Sequence, residues 1–404
     1  MRRTLGLTVA VAALAIGAGG YYTHALHAQA RQIPQFQVDA SWPKVPSKWV
    51  LGLVSGVAVD SRDHVWVLHR PRTVPPEDKD RAAPAVLEFD NAGTFIQAWG
   101  GPGPGYEWFE IEHGLSFDDK GNVWLAGSGA GDGQILKFTR DGKFLKQIGH
   151  AGQSKGNTDT ENVKGAADVT YYAKTNEIFV ADGYNNRRII VFDADSGKFK
   201  RMWGAFGNVP TDPPPPPPGQ PRRGNGLPPA DTAIEGPGQD QFNLVHSARI
   251  SSDGLVYVSD RGNQRVQVFT PEGKYITQVF ISRQKWAPST LTGMLRGKPL
   301  AQLEDGLRNA RWTASRTAFS PDKEQKYLYV LDRPREQIAI LDRKSLEVLG
   351  YFGDGIGGAP GQFYVLHDIV SDSKGNVYTA EVNDDGGRRA QKFVYKGMGP
   401  ARAQ

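Results

Sequence analysis

Three of the eight histidines in this 404-residue chain occupy one and the same position of an internal repeat. When the repeats are aligned on their first strand, the residue just before that strand is, in chain order, Ser55, His113, Ala167, His246, Ser315 and His367. Every second repeat therefore carries histidine, and the others carry serine or alanine. Three neutral imidazoles that leave one coordination position open are a typical way of holding catalytic zinc. The alternation predicts a three-histidine metal site.

The repeat that carries these histidines occurs six times between about residues 50 and 396. Each copy contains four short strands of alternating hydrophobicity, and a polar turn such as 182–187 or 260–265 separates the second strand from the third. Four antiparallel strands of this length form one propeller blade, and a single blade cannot bury both of its faces. We therefore predict an all-β fold, a six-bladed β-propeller with four antiparallel strands per blade, over residues 50–397.

The propeller geometry explains why alternation matters. Neighbouring blades of a six-bladed ring are related by about 60°, so alternate blades stand about 120° apart around the channel. His113, His246 and His367 should then point at one spot on the axis. A single histidine at a strand start is more often a hydrogen-bonded structural residue than a ligand. We expect that simpler role for the histidines that lie off the pattern, which are His64, His69 and His150.

Further polar residues should lie near the same channel. Asp368 directly follows His367, and a carboxylate beside a cationic site can bind the metal or orient a ligand. Arg70, Tyr184 and Arg261 lie at or just after second strands, so they should surround one mouth. An arginine there suits a substrate carboxylate through paired N–H donors. For Tyr184 and Arg261 the alternative is that they belong only to the recurring polar turn.

The order of these motifs resembles the lyase domain of the peptidylglycine α-amidating enzymes, and the polar turns resemble NHL repeats. The segments that carry the resemblance are His113–Ser116, Asp182–Arg187, His246–Ser247, Asp260–Arg261 and His367–Val370. It implies that zinc is held by His113, His246 and His367. It also implies a structural calcium ion, held by the backbone carbonyls of Val57 and Leu115 and by Asp368. The active-site arginine and tyrosine of the family fall on Arg70 and Tyr184, with Arg261 as a second nearby arginine.

The resemblance implies cleavage of a peptidyl-α-hydroxyglycine into a C-terminal amide and glyoxylate. Tyr184 is then the candidate base, and Arg70 either stabilises Tyr184 or binds the substrate carboxylate. The substrate should be a small molecule or derive from a peptide, and another carbinolamide remains an alternative. Iron, cobalt or manganese remains an alternative to zinc. The chain contains no cysteine, so the disulfides of the family are missing.

Two other functions fit the repeat pattern. The first is a non-enzymatic NHL scaffold that binds a partner on a propeller face, in which case the histidines are incidental. The second is a metal-dependent lactonase or esterase of the propeller type. That class usually surrounds a hard cation such as calcium with Asp, Asn and Glu. Imidazoles dominate the axial set here, which favours a borderline transition metal and hence the lyase.

The N-terminus has the pattern of a secretory signal peptide over residues 1–30. Arg2 and Arg3 precede an apolar segment, residues 5–16, and Ala28-Gln29-Ala30 supplies small residues for cleavage. We expect export to the periplasm or the extracellular space, with retention as an anchor as the alternative. The apolar segment is short for a membrane span, so none is expected in the mature chain. The net charge of +5 is scattered rather than gathered in a stripe, which argues against nucleic acid as a partner.

The remaining segments are peripheral to the predicted ring. Residues 31–49 precede it, and within them 36–49 are expected to add an outer strand to the last blade. The insertion 209–229 contains six consecutive prolines, so we predict an extended excursion and, through it, a possible site for a protein partner. The insertion 284–311 contains a predicted short helix over 300–307 that would overhang one mouth. Residues 398–404 are predicted to be a tail.

Overall fold

The computed structural model describes residues 32–212, 236–283, 313–382 and 389–401. The predicted signal peptide, the six-proline segment and the predicted helix over 300–307 lie outside the described residues. Within the described part of the chain, no helix has the length and apolarity needed to cross a membrane.

The described strands form six sheets of four antiparallel strands arranged in a ring, which confirms the predicted six-bladed β-propeller. Blade 1 contains β2 (Leu53–Val59), β3 (Val65–Arg70), β4 (Val86–Phe89) and β5 (Phe95–Trp99). Blade 2 contains β6 (Glu112–Phe117), β7 (Val123–Gly127), β8 (Gln134–Phe138) and β9 (Phe144–Gly149). Blade 3 contains β10 (Ala166–Tyr172), β11 (Glu177–Asp182), β12 (Arg188–Asp193) and β13 (Phe199–Trp203).

The second half of the ring repeats this arrangement. Blade 4 contains β14 (Val245–Ile250), β15 (Val256–Asp260), β16 (Arg265–Phe269) and β17 (Tyr275–Phe280). Blade 5 contains β18 (Thr317–Phe319), β19 (Tyr327–Asp332), β20 (Gln337–Asp342) and β21 (Val348–Phe352). Blade 6 contains β22 (Leu366–Ser371), β23 (Val377–Glu381), β24 (Ala390–Pro400) and, as its outer strand, β1 (Gln32–Asp39).

The first and the last of the described strands meet in blade 6. Strand β1 pairs antiparallel with β24, from Gln32 opposite Pro400 to Asp39 opposite Lys392. The closing strand therefore begins and ends earlier than the 36–49 segment expected from sequence. Because β24 continues to Pro400, residues 398–400 belong to a strand and not to a tail.

The core lies between blades, because each inner blade strand contacts a neighbouring blade on both faces. In β3, for example, the side chains from Val65 to Leu68 are all buried. Trp66 packs edge-on against Phe117 of blade 2, with ring centroids 5.4 Å apart. Burial of large aromatic side chains such as these contributes roughly 2–3 kcal/mol each to stability.

Five of the six innermost strands, all except β18 of blade 5, share a β-bulge at one repeat position. The register slips between Val54/Gly56, Glu112/Gly114, Ala166/Asp168, Val245/Ser247 and Leu366/Asp368. The residue skipped in each case is the alternating position of the sequence, including His113, His246 and His367. A bulge leaves its extra residue out of the ladder and re-aims the side chain. The bulges therefore supply the local reason why these histidines reach the axis.

Candidate metal centre

The three predicted ligands meet at the axis of the ring. The centroids of their rings are 4.5 Å (His113–His367), 4.9 Å (His113–His246) and 5.1 Å (His246–His367) apart. One ring nitrogen from each histidine lies within 4.8 Å of the others, and all three side chains are buried. The structure therefore brings together three histidines that are more than 100 residues apart in sequence.

Backbone carbonyls of the odd-numbered blades form hydrogen bonds with the second nitrogen of each imidazole ring. The Nδ1 atom of His113 lies 2.7 Å from the Ala167 carbonyl oxygen, that of His246 2.9 Å from the Ser315 carbonyl, and that of His367 2.7 Å from the Ser55 carbonyl. A carbonyl only accepts, so each Nδ1 must carry the proton and donate it. This leaves the Nε2 lone pair available, which is the arrangement that outer hydrogen bonds give to metal-binding histidines.

The surroundings keep the imidazoles neutral. Burial lowers the pKa of all three rings well below the usual 6.5. Nearby positive charge lowers the pKa further, from Arg70 at His113 and from Arg261 at His246. Neutral, buried and orientated imidazoles fit zinc or a similar transition metal, because only the neutral ring has a lone pair to give.

Tyr184 lies against the open side of this cluster. Its hydroxyl oxygen is 2.9 Å from Nε2 of His113 and 3.2 Å from Nε2 of His246. The residue follows β11, and its backbone N–H donates to the Gly165 carbonyl, which fixes the turn. The predicted catalytic tyrosine is thus in direct contact with the predicted ligands. A phenol in this place can exchange a proton with a group bound beside the histidines.

Three arginines occupy equivalent positions at the ends of the second strands of their blades, either as the last strand residue or directly after it. Arg70 ends β3 and donates from Nε to the Glu112 carbonyl (3.0 Å), and Arg261 follows β15 directly. The third, Arg333, follows β19 and was not singled out from the sequence. The Asp332-Arg333 pair repeats the Asp260-Arg261 pair of the preceding blade, and that repetition was the signal that could have revealed it.

The arginines make this mouth of the channel strongly cationic. Burial lowers the pKa of Arg261 to about 9, and the charge of Arg333 adds to the effect. Burial also lowers the pKa of Arg333, although Glu336 and Tyr184 oppose the shift. Burial raises the pKa of Glu336 itself to about 8, so this acid is a weak counter-ion at neutral pH. Buried guanidinium groups that repel one another favour an anionic ligand.

The implied calcium ion does not fit the residues around Asp368. The backbone N–H of Val57 donates to Oδ2 of Asp368 at 3.1 Å. The same carboxylate lies 3.4 Å from Nη1 of Arg316 and 3.6 Å from Nη2 of Arg249. Leu115 is buried on β6. Calcium requires six to eight oxygen ligands, whereas this carboxylate is already balanced by guanidinium groups.

The other described histidines take no part in the axial cluster. His64 lies 2.7 Å from Glu88, and Asp60 is near enough to complete a second possible ligand group. The guanidinium of Arg140 contacts both acids, so ion pairs satisfy that group. His150 is exposed.

His69 is a buried structural histidine, and it makes stability sensitive to acid. Nδ1 accepts from the Gly52 N–H and Nε2 lies 3.0 Å from the Pro84 carbonyl, so the ring is neutral. Burial lowers its pKa from 6.5 to about 4. The stability from the neutral ring is therefore present above pH 6.5 and lost as the pH falls toward 4, by roughly 3 kcal/mol at most.

We expect His69→Gln to flatten this acid dependence. The check is the free energy of unfolding in urea at pH 7, 5.5 and 4 for both proteins. The axial histidines titrate in the same direction, but they are common to both proteins, so the difference reports His69. Equal slopes for the two proteins would contradict the prediction.

Known proteins resemble this chain in its repeat and over most of its length. Residues 242–269 match the NHL repeat family model. The peptidylglycine alpha-amidating monooxygenase of Rattus norvegicus is 28% identical over 375 residues, which cover 85% of this chain and 31% of that protein. The peptidyl-alpha-hydroxyglycine alpha-amidating lyase 1 of Drosophila melanogaster is 24% identical over 397 residues, which cover 89% of this chain and 59% of that protein. This chain resembles the amidating lyases.

The resemblance is not limited to proteins named as enzymes. The NHL repeat-containing protein 3 of Mus musculus is 28% identical over 244 residues, which cover 58% of this chain and 57% of that protein. The chain spans less than two thirds of the length of each of these relatives. The similarity therefore supports the repeat architecture and a relation to lyases, and the reaction has to be argued from the site.

Proposed function

We propose that this protein is an exported, zinc-dependent carbon–nitrogen lyase that converts N-acyl-α-hydroxyglycines into an amide and glyoxylate. The observation that carries the proposal is the contact of the Tyr184 hydroxyl with Nε2 of both His113 and His246. It puts a proton-exchanging group beside three neutral imidazoles that fit a metal. A binding scaffold has no need of that combination.

The reaction requires one proton to leave an oxygen and one to reach a nitrogen. The substrate hydroxyl loses its proton, the carbon–oxygen bond becomes the aldehyde of glyoxylate, the C–N bond breaks, and the amide nitrogen is protonated. When bound, zinc supplies a Lewis acid that stabilises the negative charge developing on oxygen. Acting from its phenolate form, Tyr184 accepts the hydroxyl proton and then delivers the same proton to the departing amide nitrogen, so that the two transfers balance. Arg261 forms a side-chain hydrogen bond with Tyr184 and holds it in place for both transfers.

The buried arginines provide a binding site for the carboxylate of the substrate. An N-acyl-α-hydroxyglycine carries one carboxylate next to the reacting carbon, and glyoxylate keeps it. Arg261 and Arg333 form a buried cationic pair beside Tyr184. A carboxylate bound there relieves their mutual repulsion and places the hydroxyl near the histidines.

The test combines elemental analysis with glyoxylate release. The purified protein should contain about one zinc per chain and release glyoxylate from N-benzoyl-α-hydroxyglycine. Removal of the metal with a chelator should stop the reaction, and added zinc should restore it. The exposed His150 provides a control for the loss of a histidine outside the axial cluster, since His150→Ala should retain both the metal and the activity. Metal-free protein, or zinc-loaded protein that releases no glyoxylate, would refute the proposal.

Arg333→Ala is expected to weaken substrate binding more than it slows the chemical step. Loss of a buried charge-assisted contact corresponds to roughly 1.5–3 kcal/mol, so KM should rise about 10- to 100-fold. Arg335, two residues further along the same turn and 38% exposed, provides the control. Steady-state kinetics of Arg333→Ala and Arg335→Ala decide the matter. An unchanged KM in the Arg333 variant would mean that this arginine does not bind substrate.

The non-enzymatic scaffold remains the second candidate, because the chain is also similar to NHL repeat-containing protein 3. It predicts that the three histidines are incidental and that the purified protein contains no stoichiometric metal. The elemental analysis above separates the two functions.

A further inference from the structure

We propose that Arg316 replaces the implied calcium ion with a built-in cation and, through the Ala167 carbonyl, positions the metal ligand His113. The protein should then depend on zinc and be indifferent to calcium. The calcium part of this inference is independent of the proposed lyase reaction, and the positioning part rests on the three-histidine metal site.

Arg316 belongs to a second ring of residues, one position after the alternating one. In blade order that ring consists of Gly56, Gly114, Asp168, Ser247, Arg316 and Asp368. Its charged members are fully buried. The Nη1 atom of Arg316 lies 2.7 Å from Oδ1 of Asp168 and 3.4 Å from Oδ2 of Asp368. One guanidinium thus lies between the carboxylates of blades 3 and 6.

Arg249 completes the charge balance. Its Nη1 is 2.9 Å from Oδ2 of Asp168, and its Nη2 is 3.6 Å from Oδ1 of Asp368. Two guanidinium groups therefore face two carboxylates. A divalent ion added here would leave two uncompensated positive charges in a buried place, which is strongly unfavourable.

The guanidinium of Arg316 also contacts the backbone carbonyl that orientates His113. Nη2 of Arg316 donates to the Ala167 carbonyl at 2.8 Å, and this carbonyl also accepts from Nδ1 of His113 at 2.7 Å. Arg316 therefore fixes the oxygen that sets the tautomer and orientation of His113. Loss of such an outer contact typically weakens metal affinity 10- to 100-fold. Arg316 is a positioning residue, since it acts on the metal through another group.

The first test uses the wild-type protein. Metal is stripped with a chelator, the chelator is removed, and the melting temperature is measured after addition of zinc, of calcium, or of both. Zinc should raise the melting temperature, and millimolar calcium should have no effect with or without zinc. A rise with calcium alone, or one bound calcium per chain in elemental analysis, would overturn the calcium part even if the protein proved to be an active lyase.

The second test uses Arg316→Met and Arg316→Lys. The Met variant leaves two carboxylates and one guanidinium, so calcium should now stabilise it, and its zinc affinity should fall about 10-fold or more. The Lys variant keeps the charge and should recover calcium indifference. Arg343→Met is the control: the buried Arg343 pairs with the exposed Asp253 outside the channel cluster, so its loss should lower stability but leave zinc affinity unchanged.

Each outcome of the second test is decisive for one part of the proposal. If zinc affinity falls equally in the Arg316 and Arg343 variants, Arg316 does not position His113. If Arg316→Met does not fold, the calcium titration of the wild-type protein and the zinc affinity of Arg316→Lys still decide the two parts. We expect a reduced zinc affinity in Arg316→Lys, because an ammonium group cannot reproduce the planar hydrogen bond of the guanidinium to the Ala167 carbonyl. Unchanged affinity would refute the positioning role.

Discussion

His246→Ala is expected to abolish stoichiometric zinc binding and reduce glyoxylate release to background. Two imidazoles remain, but they no longer surround the axis, and zinc sites in proteins usually need three or four protein ligands. The zinc affinity should fall by several orders of magnitude. The ring itself should survive, because it is held by apolar contacts between blades and by the pairing of β1 with β24. Zinc content, activity and the far-ultraviolet circular dichroism spectrum of the same sample test this prediction.

The matched control is another buried histidine with two hydrogen bonds. His69→Gln should lose stability at neutral pH but keep one zinc per chain and normal turnover, since His69 lies outside the axial cluster. If His246→Ala retained full zinc while His69→Gln lost it, the assignment of the metal centre would be wrong. If both variants kept full activity, the axial histidines would have no catalytic role.

Tyr184→Phe is expected to lower kcat about 100- to 10,000-fold while leaving zinc content unchanged. The substitution removes only the hydroxyl, which lies 2.9 Å from His113 and 3.2 Å from His246. General base catalysis contributes a rate factor of this size. The ring of the phenylalanine should still pack against His113, because the aromatic contact is retained (centroids 4.9 Å apart). KM should change little, since the arginines hold the carboxylate.

Tyr171→Phe provides the comparison for a hydroxyl lost elsewhere in blade 3. The Tyr171 hydroxyl bonds with the Asn176 side chain in the turn after β10, away from the channel, so kcat should be unaffected. Steady-state kinetics and metal analysis of both variants are the measurements. Normal turnover in Tyr184→Phe would show that another group accepts the proton.

The repeat and the histidine alternation could be predicted from sequence because both are periodic. The first strands of the six repeats are preceded by Ser55, His113, Ala167, His246, Ser315 and His367. Six such repeats predict a ring of six blades, and histidine in every second blade predicts a site with three-fold symmetry. No side-chain contact is needed to reach that conclusion. The structure adds the β-bulge that aims these residues, a feature without a sequence signature of its own.

The contacts that tune the site could not be predicted in the same way. The imidazoles are orientated by the backbone carbonyls of Ser55, Ala167 and Ser315. Every residue has such a carbonyl, so the sequence does not show which of them form these hydrogen bonds. The sequence does not reveal the role of Arg316, because a buried arginine is expected only where acids surround it, and Asp168 and Asp368 come from other blades. The resemblance to a family suggested calcium at Asp368, whereas the two guanidinium groups there depend on contacts across the ring.

The pairing of β1 with β24 has a consequence for when the metal can be acquired. Strand β24 must be made before strand β1 finds its partner, and His367 lies in the blade that these two strands share. Before β24 has been made, the folded blades therefore offer at most two of the three imidazoles. We expect metal loading to follow the synthesis of β24, and chains clipped before β24 to be isolated without metal.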